Sequence, residues 1–282
     1  MELRNREAEI YIPDETPVQA ALERTTHLGI GAHQDDLELM ATHGILESYE
    51  NNDEWFAGVV VTDGRGSPRS GPYASCTDEE MVRIRKEEQK EAARMGNYAG
   101  VVLMGYPSAE VKMPPAAKLV EEIQNILRIT CPRFIYTHNP ADKHDTHVAV
   151  VLRLIEALKG LPRDLHPQRL YGCEVWRGLD WLPDEDKVVL DVSNRPQLAE
   201  DLLKVHRSQV AGGKRYDLAI EGRKRANATF ADSHDTDRYT HAIYAMDLTP
   251  LLKDPELDVR DFTRGLISKF GQEVESNLDK LK

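Results

Sequence analysis

The chain has 282 residues, 40% apolar and 30% charged, enough for a sizeable core beneath a polar surface. Its 36 basic and 48 acidic residues give a formal charge of −12, which argues against nucleic acid or an anionic membrane as partner, since both require a basic footprint. Apolar runs such as 57–61 are too short to span a bilayer, and three scattered cysteines (Cys76, Cys131, Cys173) suit a reducing, cytoplasmic setting and make neither a disulfide framework nor a thiolate metal site.

The charged N-terminus MELRNREAEIYIPDE has no apolar stretch and reads as no signal peptide. HLGIGA (27–32) predicts a buried strand, followed by a helix over 36–50 with Leu39, Met40, Gly44 and Leu46 on one broad face. WFAGVVVT (55–62) predicts a second strand and DGRGSPRSGPYASC (63–76) a long loop. The helix over 77–96 carries its own signals: Thr77 as N-cap, Glu80 completing a capping box, and a Gly stop. GVVLMG (100–105) predicts a third strand, 114–129 a helix opened by proline, and RFIYT (133–137) a fourth strand. A helix over 147–160 and a strand candidate at 169–176 follow. Beyond about 177 the pattern is mixed, with a helix near 196–209, a basic stretch over 212–225, a strand-like AIYAMDL (242–248) and a terminal helix.

Continuous apolar strands alternating with helices predict an α/β fold: a Rossmann-like three-layer sandwich around a mostly parallel, doubly wound sheet. With no linker visible, 1–282 reads as a single domain, with a core over about 26–210 and a C-terminal elaboration over about 211–282. In such sheets ligands bind outside the carboxyl ends of the strands. The loops after the first, second and fourth predicted strands should therefore converge there.

Two of those loops carry metal-binding chemistry. The first reads His33-Gln34-Asp35-Asp36, where a His and a carboxylate three residues apart on a tight turn can reach one cation while Asp35 points at a water. The second reads His144-Asp145-Thr146-His147, an i, i+3 pair opening a helix. One ligand from the second loop would complete two histidines and a carboxylate with an open position, the pattern of catalytic zinc. Either cluster alone suits capping or a solvated turn; their common position at strand carboxyl ends favours a site.

These residues resemble the PIG-L/LmbE superfamily of zinc-dependent N-deacetylases. GAHQDDLELMATHGIL (31–46) is similar to its opening motif, an apolar strand, then His-Pro-Asp-Asp and a Glu two residues on. THNPADKHDTHVAV (137–150) resembles its second motif, closing in His-x-x-His. VVTDGRGS (60–67), IRKEEQKEAARMG (84–96) and CPRFIYTH (131–138) resemble its connecting blocks, and HRSQ (206–209) a weaker later signature, so the resemblance covers about 26–210. It implies removal of an N-acetyl group from an amino sugar or sugar conjugate by metal-activated water. It implies Zn²⁺ held by His33, Asp36 and His147, with Asp35 as general base. His144 would stabilise the oxyanion or protonate the leaving amine, and Arg85, oriented by Glu88, would contact substrate hydroxyls. Arg65 in the long loop is a further candidate for substrate binding.

Three positions depart from the family pattern. Gln34 replaces proline; Thr146 stands where an Asp often orients the first His, with Asp145 or Asp142 as substitutes; and Thr42-His43 replace Gly-Gly, with His43 either lining the pocket or packing. A phosphohydrolase of the HD type fits His144-Asp145 but is all-helical, against the alternating pattern here. A catalytically silent sugar-binding protein on the same scaffold would not need Asp35. The loop 231–237 suits a solvated acidic turn better than a second metal site, since it lacks EF-hand spacing. Lys214, Arg215, Arg223, Lys224 and Arg225 could meet a phosphate or carboxylate on a substrate, although such runs more often form an exposed helix face. The fold also offers surfaces for homo-oligomers.

Overall fold

The computed structural model describes residues 3–211, 215–232 and 234–282, so Lys214 of the basic stretch and Ser233 of the acidic loop lie outside the described residues. Among them eight strands make one sheet: β1 (Glu9–Tyr11), β2 (His27–Gly31), β3 (Phe56–Thr62), β4 (Gly100–Tyr106), β5 (Phe134–His138), β6 (Arg169–Cys173), β7 (Lys187–Asp191) and β8 (Ala242–Asp247). Their spatial order is β1-β4-β3-β2-β5-β6-β8-β7. The run from β4 to β6 is parallel; β1 joins β4, and β8 joins both β6 and β7, antiparallel.

The central strands β2, β3 and β4 are buried at every position, which explains their unbroken apolar runs: both faces are covered by helices. On one face the helices Ala117–Thr130 and Asp145–Lys159 press Ile123, Leu127, Val150 and Leu154 against Ile30, Val59 and Val102. On the other, the helices Asp36–Met40, Thr42–Ser48, Asp78–Met95 and Pro196–Val205 place Leu37, Ile45, Ala92 and Leu202 against Phe56, Val101 and Tyr136. Each large apolar side chain so buried contributes about 1.5–3 kcal/mol relative to exposure. Three layers result. The chain leaves β2 toward β3 and β4 on one side and returns to β5 and β6 on the other, so the order reverses between β2 and β5. The loops following these two strands border that switch point, where an open α/β sheet forms its crevice.

The expected helix over 36–50 is two helices. Thr42 Oγ1 donates to the Glu38 carbonyl (2.7 Å), taking the acceptor that helix continuation would use, and the backbone bends at Ala41. Strands β1 and β7 are additions: β1 has three residues, too few to show a period, and β7 is a half-buried edge strand in the mixed region. The strand expected at 242–248 lies between β6 and β7 in the same sheet. His43 packs rather than lining the cleft, its Nδ1 2.8 Å from the Tyr136 hydroxyl. No helix among the described residues is long and apolar enough to cross a membrane.

Candidate metal centre

β2 ends on Gly31, and the glycine is required: a Cβ there would sit 2.9 Å from the Asp36 Cβ. The chain then turns tightly. His33 N–H donates to Asp36 Oδ2 (2.7 Å) and Asp36 N–H to the His33 carbonyl (3.2 Å). From the other side of the switch point, the helix Asp145–Lys159 brings in His147, which is buried. Three side chains meet: His33 Nδ1 is 3.3 Å from Asp36 Oδ2, His147 Nε2 is 3.4 Å from Asp36 Oδ1, and the two imidazole nitrogens are 3.3 Å apart, so one donor atom from each lies within 4.8 Å of the others. A tetrahedral cation with bonds of about 2.0–2.1 Å has donor-to-donor edges of about 3.3–3.4 Å, so the two imidazole nitrogens already stand at that spacing, with Asp36 offering one oxygen to each. Among the described residues it is the one such group of three His, Cys, Asp or Glu side chains found.

Surrounding groups fix the donors. Burial opposes ionisation of Asp36, but His147 and His138 outweigh it and hold the carboxyl well below its ordinary range. Burial likewise lowers His147, yet Asp36 and Asp142 raise it on balance. Asp142 Oδ1 lies 3.7 Å from His147 Nδ1, and its two oxygens accept from the His144 and Trp176 backbone N–H groups (2.9 and 3.1 Å). Burial alone would raise the Asp142 carboxyl, but His147 and the His144 N–H bring it down to about 2. Asp142 therefore faces the His147 ring, not that of His144, on the side away from the candidate donor atom Nε2, where a carboxylate would support a metal-ligating histidine. His138 is a brace: it is fully buried, accepts from the Ala32 N–H at Nε2 (2.9 Å) and stacks on His147 with ring centroids 3.8 Å apart. Asp142→Ala should weaken metal affinity about 10–100-fold, measured in a metal-buffered titration; unchanged affinity would remove Asp142 from this role.

Asp35 has φ +100°, a backbone strain that persists only where neighbours hold it. Its N–H donates to Gln89 Oε1 (3.3 Å), and its Oδ2 is 3.3 Å from Arg85 Nη2. Burial, the largest influence, raises the Asp35 carboxyl; Arg85 opposes this and Asp36 reinforces it. Arg85 is buried and lines the cleft, but its guanidinium donates to the Gln34 carbonyl and to Ser67 Oγ. Glu88, expected to orient it, instead accepts from the Ser208 N–H and hydroxyl (2.7 and 2.6 Å). Gln34, in place of proline, straps the turn by donating from Nε2 to the Thr62 carbonyl (3.2 Å). Arg65 folds onto Asp63 (2.6 Å) and is absent from the cleft lining.

His144 caps the helix Asp145–Lys159, its Nδ1 accepting from the Thr146 N–H (3.3 Å). The neutral ring thus carries its proton on Nε2. Burial, then His147 and His33, lower its pKa to about 4, so the neutral form prevails near pH 7. Backbone, and neither Asp142 nor Asp145, orients this ring.

Behind the site lies a buried network that the HRSQ stretch alone did not reveal. Glu38 accepts from Gln89 Nε2 (2.8 Å) and the Tyr98 hydroxyl (2.7 Å) and meets His206 Nε2 at 2.9 Å. Burial lowers His206, but Glu38 prevails and its pKa is raised above 6.5. A raised histidine stabilises the fold fully below pH 6.5 and loses that contribution as pH climbs through the folded value. Unfolding free energy should therefore decline above pH 6.5, and His206→Gln should flatten that decline; an unchanged slope would place the pH dependence elsewhere.

A cleft of about 660 Å³ opens over the donors. Its lining includes His33, Asp35, Asp36, His144 and His147 at the floor. The fold and site thus define an α/β protein with a two-imidazole, one-carboxylate centre at a topological switch point. Residues 28–158 match the family model described as PIG-L: GlcNAc-PI de-N-acetylase. Over that stretch, just under half of the chain, the sequence is similar to the PIG-L family. Similar solved structures include N,N'-diacetylchitobiose deacetylase from Pyrococcus horikoshii (19% identity, 79% of this chain and 84% of that one, TM-score 0.60). Others are the conserved protein TT1542 from Thermus thermophilus (19%, 83% and 99%, TM-score 0.60) and GalB, the 4-carboxy-2-hydroxymuconate hydratase from Pseudomonas putida (15%, 79% and 95%, TM-score 0.61). At these identities the likeness is one of fold. No curated protein matches the chain.

Proposed function

We propose that this protein is a zinc-dependent hydrolase that removes an N-acetyl group from an amino sugar or sugar conjugate. Because the fold is shared by a deacetylase and a hydratase, the reading rests on the site. The observation that carries it is the convergence of His33 Nδ1 and His147 Nε2, 3.3 Å apart, on the two oxygens of Asp36 (3.3 and 3.4 Å), flanked on the cleft floor by Asp35 and His144. Two neutral imidazoles and a carboxylate suit zinc. When bound, the ion supplies Lewis-acid polarisation of the amide carbonyl and lowers the pKa of water.

The remaining roles belong to the chain. Asp35, kept basic by burial and steadied by Arg85, accepts the proton of the attacking water and can return it to the leaving nitrogen. His144 Nε2–H donates a hydrogen bond to the oxygen on which negative charge develops. Arg85 acts here through Asp35, its Nη1 held by Ser67 Oγ and its Nη2 by the Gln34 carbonyl. The test is acetate release from a panel of N-acetylated sugars and glycoconjugates. Activity should vanish on chelation and return with one equivalent of zinc. Full activity in metal-free protein would sink the proposal.

A further inference from the structure

The basic stretch around the helix Tyr216–Phe230 separates into distinct situations. Arg215 is locked in a two-pronged pair with Asp217 (2.8 and 2.9 Å). Lys224 is buried, donating to Thr42 Oγ1 (2.9 Å), and Arg225 pairs with Glu221 (2.7 Å). Arg223 differs from all three. One Nη donates to the Val175 carbonyl, and among the described residues no carboxylate forms an ion pair with it.

Tyr216, Ala219, Ile220 and Arg223 recur at i, i+3, i+4 and i+7, and all four line the cleft, so one face of this helix forms a wall. Trp176 meets Tyr216 edge-on, with ring centroids 5.8 Å apart. The helix lies beyond the matched residues 28–158, so this wall is supplied by a different part of the chain from the metal donors. Charge is also unevenly distributed. The chain carries −12, yet the cleft lining holds four cationic side chains (Arg85, Lys112, Arg215, Arg223) against two carboxylates, Asp35 and Asp36, both at the floor. Arg85 is engaged by Asp35 and Arg215 by Asp217. Arg223 is left beside apolar Val175 and Ile220, held by one backbone carbonyl, while the carboxylate it influences, Glu174, is occupied by Asn227 Nδ2 and the Leu179 and Tyr244 N–H groups.

We propose that Arg223 is a specificity-determining residue that binds a carboxylate or phosphate carried by the substrate beyond its N-acetylated sugar. This inference rests on the de-N-acetylase reading of the cleft. A guanidinium fixed at one nitrogen presents its remaining donors in a planar fork, which matches the two oxygens of either anion.

The test uses three derivatives of N-acetylglucosamine differing only at the anomeric oxygen: the methyl glycoside, the carboxymethyl glycoside and the 1-phosphate. The expected result is a kcat/KM for at least one anion about tenfold or more above the methyl glycoside, the scale of one charge-assisted contact. Whether carboxylate or phosphate gives the larger ratio identifies the anion. In Arg223→Gln the anionic-to-neutral ratio should fall to about 1, and in Arg223→Glu below about 1. A wild-type ratio near unity, or one that survives both substitutions, overturns the proposal. If none of the three is hydrolysed, the de-N-acetylase reading fails. Calorimetric dissociation constants for the same three compounds then decide the subsite by the same ratios.

Discussion

Asp35→Asn should retain its metal and slow turnover by about 10² or more, the scale of a lost general base. The asparagine keeps the shape of the side chain and can still meet Arg85 Nη2, which the carboxylate Oδ2 faces at 3.3 Å. The strained φ of +100° should also survive, because Gln89 holds the backbone N–H, not the side chain. What disappears is the proton acceptor. Asp36→Asn is the necessary contrast: it removes the charge that His33 and His147 share at 3.3 and 3.4 Å, so metal content should fall with activity. Metal content by mass spectrometry and kcat on one N-acetylated sugar settle the matter. If Asp35→Asn loses metal while Asp36→Asn keeps it, the two adjacent carboxylates have exchanged roles.

His147→Ala should abolish stoichiometric metal binding and with it all measurable hydrolysis. Its Nε2 is one of three donors, and its loss leaves only the two donors of the first loop, His33 and Asp36. The deletion also removes the ring on which His138 stacks and the partner facing Asp142, so some destabilisation should accompany it. His144→Ala separates ligation from chemistry: metal content should stay near one equivalent while kcat falls, because His144 lies outside the donor triangle. His144 is neutral near pH 7, so a hydrogen-bond role predicts loss in kcat without displacement of the acid limb of the pH profile. Loss of metal in His144→Ala would make it a ligand and remove that distinction.

Much of this was legible in the chain. The unbroken apolar runs of β2, β3 and β4 announce strands buried on both faces, and the pairing of Thr77 with Glu80 marks a helix start that the structure shows as a capping box. His33, Asp36 and His147 are readable because metal ligation needs particular atoms on short, tight turns at strand ends. Those constraints leave motifs. Contacts between distant segments leave none. Asp142 reads from its position as a substitute orienting group for His144, and only the fold turns its carboxylate toward His147 while the Thr146 N–H takes His144. Arg85 and Glu88, one turn apart on a helix, read as a pair in which the carboxylate orients the guanidinium. Burial instead gives the first to Asp35 and the second to Ser208, 120 residues away.

Composition, periodicity and two motifs thus determined the α/β class, the parallel core and the residues that could meet a metal, because each is written in local spacing. Tertiary structure alone decided the rest. Glu38, Gln89 and His206 become a buried support for the strained Asp35 turn only when three separate helical segments pack together. The helix Tyr216–Phe230, whose basic residues suggest an exposed face, supplies a cleft wall because β8 enters the sheet between β6 and β7 and that helix packs against β8. The physical reason is common to both: a hydrogen-bond partner or an apolar neighbour is chosen by proximity in space, and a linear pattern encodes only which groups will need one.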